Sequence, residues 1–391
     1  MNGKDKARDG NMNMFDPRFG KRPMRFVGRE DVLRDIRAAL SDPDETERIM
    51  VLSGVRGSGK SSILAEIRAE FAHSDVVFIS YASENGLFGD AFADAGAGVA
   101  PAGANAADAA AGAAVARDPA AGNAGAASGS ETTAVYMVDD ANPDMPGLRS
   151  FLASFELCVR RGENVRLILA GLPHMIDELL KDGDLSFLRG SKRAALGSLR
   201  EDEVQELYME AFKIDDAEVS EGRSAESPKA ETAFPGGAAT GPGQGMDSAK
   251  GVLLRAAEAT AGYPYMVQLV GYYLSKEKEI SDKAANKAIF LAKIELYKNV
   301  HDPLVWSLSS KDRMFLWAMA QDEGHSEFGE IARRMDVSAG YASKYRERLI
   351  NAGVIYRSAY GELAFTLPFM KEYVEKEYIE RLGGEGGKRR L

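Results

Sequence analysis

The chain has 391 residues, of which 45% are hydrophobic and 28% are charged, which is enough for two or three domains with a large buried core. Its single cysteine, Cys158, excludes an intramolecular disulfide and a cysteine zinc site, and this favours a reducing, cytoplasmic location. The formal net charge of −10 excludes general coating of nucleic acid, so binding to DNA requires a local basic surface.

Residues 1–24 are predicted to form an N-terminal lead-in segment. Met1–Gly10 lacks the apolar stretch of a secretory signal, and no apolar run along the chain approaches the length of a membrane span. We therefore expect a cytoplasmic protein without a membrane partner. Phe15–Gly20 carries aromatic residues that are able to anchor the segment to a folded core.

The stretch Gly54–Ser61 has the pattern G-x-x-x-x-G-K-S of a phosphate-binding loop, the P-loop. It lies between an apolar run typical of a buried strand, Ile49–Leu52, and a helical pattern that continues to Phe71. Glycines allow backbone N–H groups to approach phosphate oxygens, and the start of the helix adds its positive end. The residues predicted to bind the nucleotide here are Gly54, Val55, Arg56, Gly57, Ser58, Gly59, Lys60, Ser61 and Ser62.

Within this loop, Lys60 is predicted to reach the β- and γ-phosphates and to act in catalysis, and the Ser61 hydroxyl is predicted to bind Mg²⁺. The alternative interpretation is a glycine turn between a strand and a helix that binds nothing. The strand, the helix and the Lys-Ser pair favour the nucleotide site.

A second nucleotide motif is the apolar strand pattern Ala134–Val138, which ends in two acids. Asp139 is predicted to hold the Mg²⁺ shell, as in other P-loop enzymes. Asp140 is predicted to orient and deprotonate the attacking water, and its short side chain favours slow hydrolysis. The alternative is a strand that simply ends in a polar turn.

Residues 25–200 are predicted to form the P-loop core, in which strands alternate with helices and form a parallel sheet. Ligands of such sheets bind at the carboxyl ends of the strands, where the P-loop and the Asp pair both lie. Residues 89–130, rich in Ala and Gly, and residues 215–245, rich in Ser, Glu, Gly and Pro, are predicted to be insertions without chemistry.

Two arginines near the end of the predicted core are candidates for contact with the γ-phosphate, either in their own subunit or in a neighbouring one. These are Arg189 and Arg193, which precede a predicted short fifth strand at Leu196–Leu199. The alternative is that both arginines are solvated and structural.

The remainder of the chain is predicted to be helical, with a lid over residues 201–301, a winged-helix domain over residues 303–382 and a tail over residues 383–391. The last predicted helix of the winged-helix domain, Ala339–Asn351, has a polar face that includes Tyr345, and a β-hairpin follows it. The predicted DNA contacts are Ser343, Lys344, Arg346, Arg348 and Arg357. The alternative is that this domain docks onto the ATPase body or onto another protein.

Taken together, these motifs resemble the AAA-type ATPases of the archaeal-ATPase, initiator and STAND-like group. The resemblance rests on Phe15–Glu30, the P-loop, Val138–Asp140, Ala170–Pro173 and Gly262–Tyr265, and covers nearly all the chain except the two insertions. It implies an α/β fold, a P-loop NTPase parallel sheet with a helical lid and a C-terminal winged helix. It also implies that Val27, Gly28 and Pro264 contact the nucleotide base.

The predicted function is an ATPase that uses ATP and Mg²⁺, releases ADP and phosphate, and couples its nucleotide state to a winged helix bound to double-stranded DNA. A nucleotide-dependent homo-oligomer is among the expected assemblies. The alternative is a slow signalling switch whose winged helix binds a protein partner. A small-molecule kinase is disfavoured, because no acceptor pocket is indicated and the winged helix would have no role.

Overall fold

The structure, a computed structural model, describes residues 14–41, 48–71, 76–81, 133–214 and 249–376. Both predicted insertions and the predicted tail lie outside these ranges. The chain divides into two compact units. The lid unit comprises Met1–Pro17, Pro23–Gly28 and Ser198–Leu296, and the core unit comprises Arg18–Arg22, Arg29–Gly197 and Tyr297–Leu391.

The core unit contains a five-stranded parallel sheet in the order β2-β3-β4-β1-β5. Its strands are β1 (Ile49–Gly54), β2 (Val76–Tyr81), β3 (Thr133–Val138), β4 (Val165–Gly171) and β5 (Lys192–Leu196). The helices of this part are α1 (Glu30–Ser41), α2 (Lys60–Glu70), α3 (Leu148–Arg160) and α4 (Pro173–Lys181), with a short 3₁₀ turn at Ser186–Gly190.

All seven residues of β4 are buried, because this strand lies inside the sheet between β3 and β1. A strand with helices on both faces needs apolar side chains on both, which explains its nearly continuous hydrophobic sequence. On one face, the Tyr136 ring packs edge-on against Phe151 and Phe155 of α3, with centroid distances of 5.5 and 6.1 Å. These contacts place α3 against the centre of the sheet.

The position of the fifth strand differs from the prediction. β5 covers Lys192–Leu196 rather than Leu196–Leu199, and it pairs with β1 so that Leu196 lies opposite Gly54. β5 is at the edge of the sheet and alternates between half-buried and exposed residues until Leu196, so it tolerates Lys192 and Arg193. A search for continuous apolar runs therefore misses an edge strand such as β5.

The described residues of the lid unit form four helices, α5 (Glu201–Phe212), α6 (Ala249–Glu258), α7 (Pro264–Leu274) and α8 (Asp282–Leu296). Four of the five buried residues of α8 are alanines, and small side chains allow a helix to approach its neighbour, here α7, closely. Phe15 of the lead-in segment is buried against Gly271 of α7, and its ring packs edge-on against Tyr208 at 5.5 Å. This contact anchors the lead-in segment.

We expect Gly262→Ala to destabilise the lid unit, because Gly262 has φ of 65° and an added Cβ would overlap the Leu199 carbonyl. The same turn is closed by the Leu199 N–H, which donates to the Gly262 oxygen at 2.8 Å. Backbone strain and steric overlap together are expected to cost about 2 kcal/mol or more. Thermal unfolding measures this loss. Gly183→Ala, at a site with no atom within 4 Å of the new methyl, is the control, and equal stability of the two variants would refute this account of the turn.

The C-terminal part of the core unit has the element order of a winged helix, which confirms the predicted fold. It contains a π-helical segment at Tyr297–His301 and the helices α9 (Asp302–Trp306), α10 (Ser310–Ala320), α11 (Phe328–Arg334) and α12 (Ala339–Asn351). The strands are β6 (Ser326–Glu327), β7 (Ile355–Ala359) and β8 (Glu362–Phe365), which form an antiparallel sheet in the order β6-β8-β7. Side-chain caps from Ser309 and Ser338 begin α10 and α12.

Among the described helices, none combines the length and the apolar character needed to cross a membrane.

Candidate functional site

The P-loop connects the carboxyl end of β1 to the start of α2. Gly57 and Gly59 have φ of 77° and 98°, in the left-handed region where a side chain is disfavoured. An added Cβ at Gly54 would overlap the Ser58 hydroxyl and would lie 3.1 Å from the Leu196 Cβ. The loop is therefore compact, and its glycines are required by its backbone path.

Lys60 is the first residue of α2, and its side chain folds back under the loop. Only 6% of Lys60 is exposed, and its ammonium group donates to the carbonyl oxygens of Gly54 at 2.8 Å and Val55 at 3.1 Å. Burial lowers the pKa of Lys60, while the charges of Asp140 and Asp139 oppose this shift. A buried ammonium group between a glycine loop and two carboxylates matches the charge of a bound polyphosphate.

The acid pair follows β3, and β4 separates β3 from β1 in the sheet. Asp139 is hydrogen-bonded to the Ser61 side chain, and its Oδ1 accepts the Asp140 N–H at 3.0 Å. Burial raises the pKa of Asp139, and the Ser61 hydrogen bond opposes that effect. The structure thus brings together Lys60, Ser61 and Asp139, three residues that the sequence predicted to share one site.

This arrangement fits Mg²⁺ bound with a nucleotide. The ion prefers hard oxygen ligands and is usually held by one or two protein groups together with phosphate oxygens and water. Ser61 and Asp139 supply a hydroxyl and a carboxylate in direct contact, and burial of Asp139 favours a neighbouring cation. The Ser58 hydroxyl is also buried and has no hydrogen-bond partner among the described residues, as expected for a polar group beside a phosphate site.

Asp140 is exposed and has φ of 52°, which turns the chain sharply after β3. The next residue is fixed to the end of β4, since the Ala141 N–H donates to the Ala170 oxygen at 2.8 Å. At Gly171 an added Cβ would lie 2.5 Å from the Ala141 oxygen. The ends of β3 and β4 are therefore packed tightly, which fixes the backbone that carries Asp140.

Arg29 is a residue near the P-loop to which the sequence analysis gave no role. It precedes α1, and its Nη2 donates to the Gly197 carbonyl at 2.5 Å and to the Ser58 carbonyl at 3.4 Å. It therefore links the P-loop to the end of β5. Its position near the end of Phe15–Glu30, which carries part of the family resemblance, was the available signal, but nothing in that segment indicates which carbonyl groups it contacts.

A short part of the lead-in segment lies across the start of α2 in the core unit. The Ser62 hydroxyl donates to the Lys21 carbonyl at 3.0 Å, and Arg22 forms an ion pair with Glu66. The Arg56 guanidinium lies 5.8 Å from the Phe19 ring centroid. Two of the predicted phosphate-loop residues, Arg56 and Ser62, are thus positioned by the lead-in segment.

Arg189 and Arg193 lie away from the carboxyl edge of the sheet in their own subunit. Arg189 donates to the Leu180 carbonyl at 3.3 Å, and Arg193 donates to the Arg189 carbonyl at 3.1 Å. Arg193 pairs in register with Val51, three residues before Gly54, which is about 10 Å along the strand. Contact with a phosphate in a neighbouring subunit stays a prediction for both.

The residues that the resemblance assigned to the nucleotide base belong to the lid unit. Gly28 has φ of 62°, and an added Cβ would overlap the Glu203 carboxylate, while Val27 is half-buried. Pro264 is the first residue of α7, where a missing N–H is tolerated. Their role at the base stays a prediction.

The predicted DNA contacts are placed on α12 and β7, and most of them have partners. Lys344 is exposed, whereas Arg346 and Arg357 both contact Glu347. Arg348 donates to the buried carboxylate of Asp312 at 3.0 Å, which ties α12 to α10. Ser343, the remaining member of the set, is half-buried and accepts a hydrogen bond from Arg346.

One prediction about this face is wrong. Tyr345 is only 8% exposed and belongs to the buried side of α12, not to its polar face. Its ring packs against that of Tyr341 at a centroid distance of 5.3 Å.

Comparison with known proteins agrees with this geometry. Residues 25–170 match the AAA ATPase domain, and residues 298–374 match a domain of unknown function, DUF8462. The fold is similar to a Walker-type ATPase of Pyrococcus abyssi, with 14% identity, a TM-score of 0.58, and coverage of 93% of this chain and 99% of that one. It is also similar to the ORC2 protein of Aeropyrum pernix in its ADPNP–ADP complexes, with 10% identity, a TM-score of 0.54, and coverage of 94% and 98%. No curated protein sequence matches the chain.

Proposed function

We propose that this chain, which carries an AAA-type P-loop ATPase domain, binds ATP with Mg²⁺, hydrolyses it to ADP and phosphate, and couples its nucleotide state to DNA binding by the winged helix. The observation that carries the proposal is the contact between Ser61 and Asp139 beside the buried ammonium group of Lys60. These groups lie at the carboxyl edge of one parallel sheet, where such sheets bind their ligands.

Each residue at this edge has a distinct role in the proposed reaction. Lys60 and the N–H groups at the start of α2 bind the β- and γ-phosphates and stabilise the charge that develops on them. Asp140 orients the attacking water and accepts a proton from it. Ser61 and Asp139 would hold Mg²⁺, which neutralises phosphate charge when bound.

A contact inside the core unit supports the coupling part of the proposal. α4 begins two residues after β4 ends, and its His174 ring meets the turn that follows α12. At Gly353 in that turn, an added Cβ would lie 3.0 Å from the ring. The first turn of α4 therefore lies beside the end of β4 and also contacts the turn that ends the helix predicted to contact DNA. Movement at the end of β4 would be transmitted directly to α12.

We expect the full chain to bind random-sequence duplex DNA with an affinity that falls as salt rises and that differs between ATP and ADP. Phosphate contacts release counterions, so three or four of them would weaken binding by about 40- to 150-fold between 50 and 200 mM salt. Filter binding at these two salt concentrations, with each nucleotide, measures both effects. Absence of salt-sensitive binding with either nucleotide would remove DNA from the proposal.

A second candidate function is a signalling switch that binds nucleotide tightly, turns over slowly and uses its winged helix on a protein partner. The observation that favours it is the ion pairing of Arg346, Arg348 and Arg357 within the winged helix itself. This candidate predicts ADP bound to the purified protein. It also predicts that alanine at Lys344, Arg346 and Arg348 leaves partner binding unchanged.

A further inference from the structure

Two arginines from different elements of the winged helix converge on one carboxylate oxygen. Arg346 of α12 donates from Nη2 to Glu347 Oε1 at 2.9 Å and from Nε at 3.3 Å. Arg357 of β7 donates from Nη2 to the same oxygen at 2.6 Å. Glu347 thus joins the helix to the strand that leads into the wing.

Both guanidinium groups are positioned before any ligand arrives. Arg346 is only 24% exposed, donates to the Ser343 hydroxyl at 2.9 Å, and lies 4.5 Å from the Phe328 ring centroid. Arg357 is 59% exposed and extends from the ordered strand β7. Arginines that are already held in place lose less conformational entropy when they bind an anion.

The Glu347 carboxylate, which both arginines bind, has the charge and the acceptor geometry of a phosphodiester oxygen. The hydrogen bond from Arg346 and the nearby charge of Arg357 hold the pKa of Glu347 below its usual range, so the carboxylate is ionised at neutral pH. A carboxylate and a backbone phosphate each carry one negative charge and accept paired N–H groups from arginine. The same arginine N–H groups cannot bind the Glu347 carboxylate and a backbone phosphate at the same time.

We propose that Arg346 and Arg357 form a phosphate-binding pair on the winged helix and that Glu347 is its built-in competitor, which a nucleic-acid phosphate must displace. This inference rests on the proposed function, because it assumes that α12 and the wing contact DNA. Glu347 lowers the affinity of the winged helix for DNA. Binding therefore depends more on the other contacts of the domain, including the exposed Lys344.

The test compares Glu347→Gln with Glu330→Gln in the full chain with ATP present. Both variants remove one negative charge from the winged helix, but Glu330 pairs with Arg333 of its own helix α11 and joins no second element. Anisotropy titrations with a labelled random duplex, at several salt concentrations, give affinity and salt slope. We expect E347Q to bind about tenfold more tightly at low salt, with a slope steeper by about 0.9 for one added phosphate, and E330Q to change affinity less than about twofold.

A double variant separates the proposed pair from a general charge effect. In Glu347→Gln combined with Arg357→Ala, the gain in affinity is expected to disappear, because one of the two released cations is absent. Unfolding temperatures and ATP affinity of all variants are measured beside the DNA titrations, and we expect them to match the wild type.

The outcomes distinguish this inference from the proposed function. If the wild type binds DNA and E347Q binds no more tightly, or if E330Q gains as much, the competitor role is refuted while the DNA-coupled ATPase stands. If the gain persists in the double variant, Arg357 is not part of the pair and the inference fails. If neither wild type nor E347Q binds DNA at low salt, both the inference and the DNA part of the proposed function fail.

Discussion

Lys60→Ala is expected to weaken ATP binding by about 100-fold or more, because two or three charge-assisted hydrogen bonds to phosphate oxygens are lost. In the structure, the Lys60 ammonium group already lies under the P-loop and contacts the Gly54 and Val55 carbonyls. Fluorescent-nucleotide binding measures the loss.

The control for this variant is Lys181→Ala, which removes an exposed lysine at the end of α4 in the same unit. It is expected to bind ATP normally. Thermal unfolding of Lys60→Ala is measured beside its ATP affinity, because the variant leaves the Gly54 and Val55 carbonyls without this donor and removes the cation beside Asp139 and Asp140. Wild-type affinity in a folded Lys60→Ala protein would place the nucleotide elsewhere.

Asp140→Asn is expected to keep ATP binding and to lower turnover by about 100-fold or more, since general-base catalysis contributes that much. The amide has nearly the shape of the carboxylate but cannot accept a proton from water. Asn also tolerates a positive φ, so the 52° turn at this position should be kept. Phosphate release under saturating ATP measures the rate.

Asp144→Asn is the matched control, because Asp144 is an exposed acid in the turn that follows, where its N–H contacts Asn142. Its turnover is expected to equal that of the wild type. If Asp140→Asn also turns over ATP at the normal rate, the base is another group and Asp140 only shapes the turn.

The arrangement of the candidate nucleotide-site residues was predictable because they are close in sequence or lie at the same edge of the sheet. The spacing within Gly54–Ser61 defines the loop, and the acids at Asp139 and Asp140 follow a strand with an unmistakable apolar pattern. Parallel strands bring such ends together, so the contact between Ser61 and Asp139 follows from the topology. The structure adds that Lys60 is buried and that Gly57 and Gly59 have left-handed backbone conformations.

What the sequence could not predict depends on contacts between distant residues. β5 was misplaced because an edge strand needs no continuous apolar run, and Lys192 and Arg193 obscured it. The arginines of α12 and β7 were predicted to contact DNA, because no local pattern shows that Arg348 pairs with Asp312, 36 positions away, or that Arg357 shares Glu347 with Arg346. Charge counting along a helix does not include such partners.

The contact between α4 and the turn after α12 is another feature that the sequence could not predict, because it joins distant residues. His174 and Gly353 are far apart in sequence, and neither residue type indicates a contact. The left-handed Gly353, with φ of 67°, ends α12 and allows the turn to approach the imidazole ring. Only the folded chain shows that the first turn of α4 contacts the turn after α12.

Titration calorimetry of Mg²⁺ and ATP into the folded wild-type chain tests the central claim most directly. We predict uptake of one adenine nucleotide per chain, weakened when Ser61 or Asp139 is replaced by alanine and weakened by about 100-fold or more in Lys60→Ala. A well-folded wild-type protein that takes up neither ATP nor ADP would contradict the account.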